Sequence, residues 1–388
     1  MKRDGLVGCL ALYAALYGAY GCISPILPNV LAAGGLPPER IAILLAAATL
    51  VRLVAGPLAG RSADRHAATR PILAAACGLT ALAVLGHLPA RGFWPFLAVG
   101  LAYAVTTAPL APLADVLGLA AARGGAAFPY GWVRGAGSAA FIAGVGAAGG
   151  LVQGFGLAAG LVAGAVLFAA AGSAALAGRD PGVARDGPVA APGIGFADVL
   201  RLPAFRRTVL VAALVIGAHA MHDAFAMILW REAGIGAGAA GLLWAEAVAA
   251  EVFVFLIAGP PLLARIGLPG GLAVAAGAGA LRWAVQAETV ALPWLAAIQS
   301  LHGLSFALLH LACLGLIERT VPPAARATAL ALYGTVGLGL AGAAATLASG
   351  PLYSAFHGRG FWAMAVLSLA ALPLVPRLRP PSEGTTSA

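Results

Sequence analysis

Apolar runs of about twenty residues recur twelve times along this 388-residue chain, and a run of that length crosses the hydrocarbon of a bilayer as a helix. They fall near 5–28, 40–60, 71–89, 93–119, 129–152, 156–177, 206–230, 237–260, 268–285, 290–317, 323–348 and 358–376. The strict alternation of barrel strands is absent, so the spans are read as helices. Composition agrees: at 61% hydrophobic and 10% charged, the chain has too few polar side chains to cover a water-soluble globule. The expectation is an all-α membrane protein of twelve transmembrane helices. Its first apolar run lacks a cleavage site before any soluble domain and is read as a retained helix.

Arginine placement sets the orientation, because basic residues gather in cytoplasmic loops. With the N-terminus inside, inner segments hold Arg61, Arg65, Arg70, Arg123, Arg265 and Arg319 among others, while outer loops hold Arg40, Arg91, Arg231 and Arg359. Both termini are therefore expected in the cytoplasm. The net charge of +9 reflects this inner collar, and nucleic-acid binding is not needed to explain it. Cys9, Cys22, Cys77 and Cys313 all lie within spans without paired spacing, so neither a disulfide nor a metal site is expected. One lysine against 22 arginines points to a G+C-rich bacterial genome, and so to a bacterial inner membrane. That lysine is Lys2, so no phosphate-binding Gly-x4-Gly-Lys-Ser/Thr loop can exist and a primary pump is disfavoured. Paired aspartates, HExxH and GxSxG are absent too, so no enzyme and no cofactor is expected.

The chain reads as two copies of one plan. Residues 1–177 and 206–388 each carry six spans, and 178–205, with four prolines, is the one long polar connector. An offset of 203 superposes Gly56-Pro57 on Gly259-Pro260, Asp115 on Glu318, and Tyr130-Gly131 on Tyr333-Gly334. An even number of spans per copy makes the repeats parallel, related by an axis along the membrane normal. Between spans 2 and 3 lies a short polar clamp, Gly56 to Arg70, read as a tight inner hairpin. Gly56 and Gly60 allow close helix approach, Asp64 sits near the positive N-terminus of the next helix, and Arg65 and Arg70 hold the anionic leaflet. Gly60, Asp64, Arg65 and Arg70 resemble the Gly-x3-Asp-Arg-x-Gly-Arg-Arg signature of the major facilitator superfamily, with Ala67 in place of its Gly. The resemblance implies a gating motif, and Asp64→Asn is expected to slow interconversion of inward-open and outward-open states. A transport assay showing the wild-type rate with only the affinity changed would remove that role.

Ionisable residues inside spans carry the functional information, since a charge in hydrocarbon costs several kcal/mol unless paired or wetted. Arg52 lies midway along span 2. Asp115 and Arg134 are nearly equidistant from the span 4–5 turn, so a hairpin brings them to one depth as an ion pair. Span 7 carries His219, His222 and Asp223; span 8 carries Glu246 and Glu251; span 9 carries Arg282. In span 10, Gln299, His302, Phe306 and His310 form one stripe at steps of three, four and four. Trp244, Trp283, Phe225 and Phe306 supply aromatic surface. The glycine-rich span 137–160 reads as helix packing rather than ligand binding.

Tyr130-Gly-Trp-Val-Arg134-Gly-Ala-Gly137-Ser138-Ala-Ala-Phe141 resembles a segment of the 3-phenylpropionate transporter group, relatives of the lactose permease. So do Leu243 to Glu251, Arg282-Trp283, Gln299-x-x-His302 with His310, Ala329 to Tyr333, and Gly350-Pro-Leu-Tyr353. The permease-type set of acid, Arg, acid, Arg and His maps to Asp115, Arg134, Glu251, Arg282 and His302. The permease's proton-carrying Glu, three residues after that His, is Ser305 here, which moves any proton coupling to Glu251, Glu246 or His302.

What these residues imply is a secondary transporter that takes a small organic anion together with protons. The expected substrate-binding residues are Arg282, His302, Arg134, Asp115, Trp244, Phe306 and Arg52, placed between the halves near the midplane. Sugar or nucleoside symport is the nearest rival, followed by drug efflux by antiport and by a non-transporting assembly factor. Partners are expected to be the substrate, protons and the lipid bilayer, with the chain acting as a monomer.

Overall fold

The computed structural model describes residues 2–66, 68–123, 128–177 and 196–378. Every regular element among them is helical, as uninterrupted apolar runs require where no water can satisfy the backbone. Contacts divide the chain into two compact units: Met1–Gly187 with Asp223–Glu246 and Thr346–Ser354, and Pro188–His222 with Ala247–Ala345 and Ala355–Ala388.

The N-terminal part of the first unit runs through α1 (Lys2–Ile23), α2 (Leu27–Ala33), α3 (Pro38–His66), α4 (Thr69–Gly86), α5 (Phe93–Thr107), α6 (Leu110–Arg123), α7 (Tyr130–Phe155) and α8 (Leu157–Ala177). The helix α1 packs on α7 and α8, and small residues set the distance. A Cβ at Gly144 would collide with the Gly18 carbonyl, and the Gly144 carbonyl accepts from Cys22 Sγ at 3.4 Å. Gly144→Leu is therefore expected to abolish the folded protein, read as loss of the monodisperse peak after detergent extraction. Extraction at the wild-type yield would show that this contact is dispensable.

The second unit holds α9 (Phe196–Arg201) and α10 (Pro203–Gly217). The helices α11 (Ala220–Glu232) and α12 (Ala237–Phe253) are divided between the units, at Asp223 and at Ala247. A π-helical segment π1 (Val254–Ala258) then leads into α13 (Gly259–Glu288), followed by α14 (Leu292–Gln299), π2 (Gly303–Leu308) and α15 (Leu309–Thr320). The chain closes with α16 (Arg326–Leu332), π3 (Tyr333–Leu340), α17 (Ala341–Phe356) and α18 (Phe361–Leu369). Val211, Ala212, Val215, Leu272, Ala275, Leu309, Ala312 and Cys313 form the buried centre of this unit.

Residues 223–246 and 346–354 group with the first unit for identifiable reasons. Asn29 Nδ2 donates to the Met227 carbonyl at 3.2 Å, and Gly238 N donates to Gln153 Oε1 at 2.9 Å. The Tyr353 ring stacks on Phe225 at 4.6 Å, and its hydroxyl donates to Glu232 at 2.8 Å.

Ten helical stretches among the described residues are long and apolar enough to cross a membrane. Two of them, Ala237–Glu288 and Thr328–Leu374, have 52 and 47 residues. At about 1.5 Å per residue, each is more than twice a hydrocarbon thickness of about 30 Å. The first turns at Gly267, whose φ of 73° favours glycine, and the second passes a 3-10 turn at His357–Gly360.

Two expectations need correction. The clamp is mostly helix, since α3 runs on to His66 and α4 begins at Thr69, because nothing in Gly60-Arg-Ser-Ala-Asp-Arg-His forbids helical dihedrals. Among the described residues, a Cβ at Gly60 would meet no atom within 4 Å, so none of their helices approaches closely there; Gly56 has the Ala108 carbonyl at 3.6 Å. The connector 178–205 contains α9, which occupies Phe196–Arg201, and the start of α10 at Pro203, a proline in its favoured first-turn place. Its 178–195 portion, the 379–388 tail and the Asp64 side chain lie outside the described residues. Arg65 is exposed, and Arg70 Nη1 donates to the Ala175 carbonyl at 2.8 Å, a cation on orphan carbonyls in the last turn of α8.

Candidate functional site

In the second unit, α13 carries Arg282 into full burial, its guanidinium 4.5 Å over the Trp283 ring. Such a charge persists in an apolar interior only if acceptors surround it. Arg282 Nη2 donates to Gln299 Oε1 at 2.6 Å and to His222 Nε2 at 3.3 Å, while Nη1 donates to His302 Nδ1 at 2.8 Å. Arginine has no acceptor atom, so both histidine nitrogens must present lone pairs. The proton of the neutral His302 ring then sits on Nε2, which faces Glu251 Oε2 at 3.5 Å. The result is an ordered line from carboxylate to imidazole to guanidinium.

Helix geometry makes that line. A Cβ at Gly303 would run into the Ala250 carbonyl, so its absence lets the helices carrying Glu251 and His302 approach closely. The π-turn that follows His302 realigns residues spaced by four. His302 stacks on Phe306 at 5.3 Å with planes 25° apart, and Phe306 stacks on His310 at 6.2 Å and 6°. Tyr333 Oη lies 3.0 Å from His310 Nδ1. Such π-turns occur often at functional positions. Ser305 does not join the line: its hydroxyl is 3.1 Å from His219 Nε2, and His219 Nδ1 lies 2.9 Å from the Val215 carbonyl. With that carbonyl accepting from Nδ1, His219 Nε2 accepts from the serine in the neutral ring.

In the first unit, Asp115 and Arg134 lie 3.9 Å apart on the hairpin of α6 and α7, and both are part-exposed. Tyr13 and Tyr130 hydroxyls donate to Asp115 Oδ1 at 2.6 and 2.8 Å. Arg134 hydrogen-bonds the Tyr17 hydroxyl and lies 4.9 Å over that ring, which stacks on Tyr13 at 5.6 Å. A cation beside two stacked aromatic faces matches a small molecule that joins an anion to a ring. Farther along the same face of α1, Tyr20 borders a cavity of about 420 Å3 that Arg52 also lines.

Arg282, His302, Glu251 and Phe306 thus come together in the second unit. Asp115 and Arg134 come together in the first, and Arg52 belongs to the cavity. Trp244 and Glu246 are half-buried on the portion of α12 that groups with the first unit. The tyrosines escape a reading centred on charge, although their signal is present. Tyr13, Tyr17 and Tyr20 are spaced by four and three on one helix face in a chain with seven tyrosines. Among the described residues, no group of three His, Cys, Asp or Glu is placed to hold a metal ion.

Long apolar helices that carry paired charges in their interior define a multi-pass membrane protein. The chain belongs to the MFS_1 like family, which it matches over residues 9–364. It is 31% identical over 385 residues to the probable 3-phenylpropionic acid transporter of Escherichia coli (strain K12), covering 95% of this chain and 96% of that one. It is 30% identical to the maltose permease of Geobacillus stearothermophilus over 88% of this chain and 86% of that one. Among solved structures, a mutant of the nucleoside transporter NupG matches with a TM-score of 0.86 at 16% identity, over 96% of this chain and 99% of that one. A bacterial homologue of the lysosomal transporter Spinster, unoccupied, gives 0.74 at 16% identity, over 96% of each chain.

Proposed function

We propose that the protein is a proton-coupled symporter of a small aromatic carboxylate of the phenylpropanoate kind, working by alternating access in a bacterial inner membrane. The observation that carries this reading is the Glu251–His302–Arg282 line, which supplies a carboxylate able to gain or lose a proton beside a fixed buried cation. Proton arrival at Glu251 removes its charge from His302. The strain of an uncompensated Arg282 then favours the state in which an anion is bound. Because both Nη atoms of Arg282 already have acceptors, we assign Arg282 and His302 to coupling and the first anion contact to Arg134, with Tyr13 and Tyr17 against the ring. The 31%-identical relative named for 3-phenylpropionic acid supports that substrate class.

We further propose twelve crossings, with the two longest stretches divided at Gly267 and at His357–Gly360, both termini cytoplasmic, and Gly60, Asp64, Arg65 and Arg70 at the inner gate of a monomer. The bundles follow as 1–177 and 206–388.

The test is uptake of labelled 3-phenylpropanoate into proteoliposomes with an alkaline interior. Accumulation is expected, and a protonophore should collapse it. Arg134→Gln should weaken apparent affinity about 10- to 100-fold, as loss of a charge-assisted hydrogen bond does. Uptake indifferent to the protonophore would remove proton coupling. A second reading, sugar symport, draws on the maltose permease relative and on Asp115, whose carboxylate already accepts hydroxyls. Competition by maltose but not by carboxylates would select it.

A further inference from the structure

The first unit contains a cavity of about 420 Å3, lined by Tyr20, Ser24, Arg52, Tyr103, Thr107 and Asp223 among others. That is the size of an ordinary small-molecule site. Two of its walls are helix breaks: α1 stops at Ile23, just before Ser24, and α5 stops at Thr107. Broken helices at membrane depth persist only where protein or a lined cavity satisfies the freed backbone, and here the Tyr20 hydroxyl donates to the Thr107 carbonyl at 3.1 Å. The Arg52 guanidinium rests 5.9 Å over the Tyr103 ring and has no ion-pair partner among the described residues. Arg52 is exposed on this cavity, so its guanidinium is presented to a carboxylate entering there. Opposite in charge, Asp223 in the first turn of α11 puts an acceptor on the same cavity.

We propose that this cavity is a second ligand subsite, selective for arylalkanoates that also carry a phenolic hydroxyl. The carboxylate meets Arg52, the ring lies along Tyr103 and Tyr20, and the hydroxyl donates to Asp223. Tyr17 and Tyr20, with ring centroids 6.1 Å apart, join this subsite to the Arg134 cluster along one face of α1. The inference rests on the aromatic-carboxylate reading above and narrows its substrate class.

Calorimetric binding to the purified full chain tests it with 3-phenylpropanoate, 3-(4-hydroxyphenyl)propanoate and 3-phenylpropanol. The hydroxylated acid is expected to bind about tenfold more tightly than the plain acid, the gain of one charge-assisted hydrogen bond. Asp223→Ala should bring that ratio to about one while the plain acid keeps its affinity. Arg52→Gln should weaken both acids at least tenfold and leave the alcohol unchanged, with Arg52→Lys intermediate, because it keeps the charge without the planar fork. Equal binding of the two acids, or an Asp223→Ala ratio like that of wild type, overturns the subsite while leaving the carboxylate reading intact. Arg52 variants that bind both acids normally overturn it as well. Should the wild type bind neither acid, the inference and the proposed substrate class fall together.

Discussion

Glu251→Gln is expected to exchange labelled substrate across a vesicle membrane at close to the wild-type rate, yet to accumulate none of it against a gradient. One pH unit stores about 1.4 kcal/mol per proton, so a one-proton symporter concentrates its substrate about tenfold for each unit imposed. Glutamine keeps the shape and, in its amide oxygen, an acceptor for the His302 Nε2–H, and it is permanently neutral like the protonated acid. Loading and turnover continue, but nothing links them to the gradient. The measurement is the ratio of internal to external label at steady state with one pH unit applied: about ten for wild type, about one for the variant. A variant that still concentrates substrate moves the proton to Glu246 or Asp115.

Arg282→Met should do more damage, because it removes the centre of a buried network. His302 Nδ1, His222 Nε2 and Gln299 Oε1 all accept from this guanidinium, and each loses that donor. Removing one side of such an arrangement typically costs about 3–5 kcal/mol. Transport is expected to fall to background and the melting temperature of the purified protein to drop by several degrees, with Arg282→Lys recovering part of the stability and none of the coupling. A methionine variant that melts with wild type would show that the network contributes no net stability.

The membrane class, the helical spans and the pairing of Asp115 with Arg134 are legible in the chain, because each follows from a period or from distance to a turn. The stripe of Gln299, His302, Phe306 and His310 is legible for the same reason. What it meets is less so. Arg282 is buried and enclosed by His222 from one span and by Gln299 and His302 from another, and sequence spacing reports nothing about contacts between helices. Gly303 shows the same limit, as one of 53 glycines whose role depends on the Ala250 carbonyl opposite. The π-turns are hidden too, since Gly303-Leu-Ser-Phe-Ala-Leu308 would serve equally well as ordinary helix. So is the grouping of 223–246 and 346–354, which rests on single contacts such as Asn29 to Met227 and Tyr353 to Glu232.

At an offset of 203, Tyr130-Gly131 and Tyr333-Gly334 correspond residue for residue, but α7 continues as α-helix where Tyr333–Leu340 winds as π. A π-turn absorbs about one residue more than an α-turn, and one residue is worth about 100° around a helix axis. Beyond Leu340, then, a residue no longer faces the way its counterpart beyond Gly137 does, although the letters still line up. The two stretches therefore differ in facing although they match in length. Shared letters do not carry shared chemistry: tyrosines surround a part-exposed arginine, Arg134, in the first unit, and imidazoles surround a buried one, Arg282, in the second.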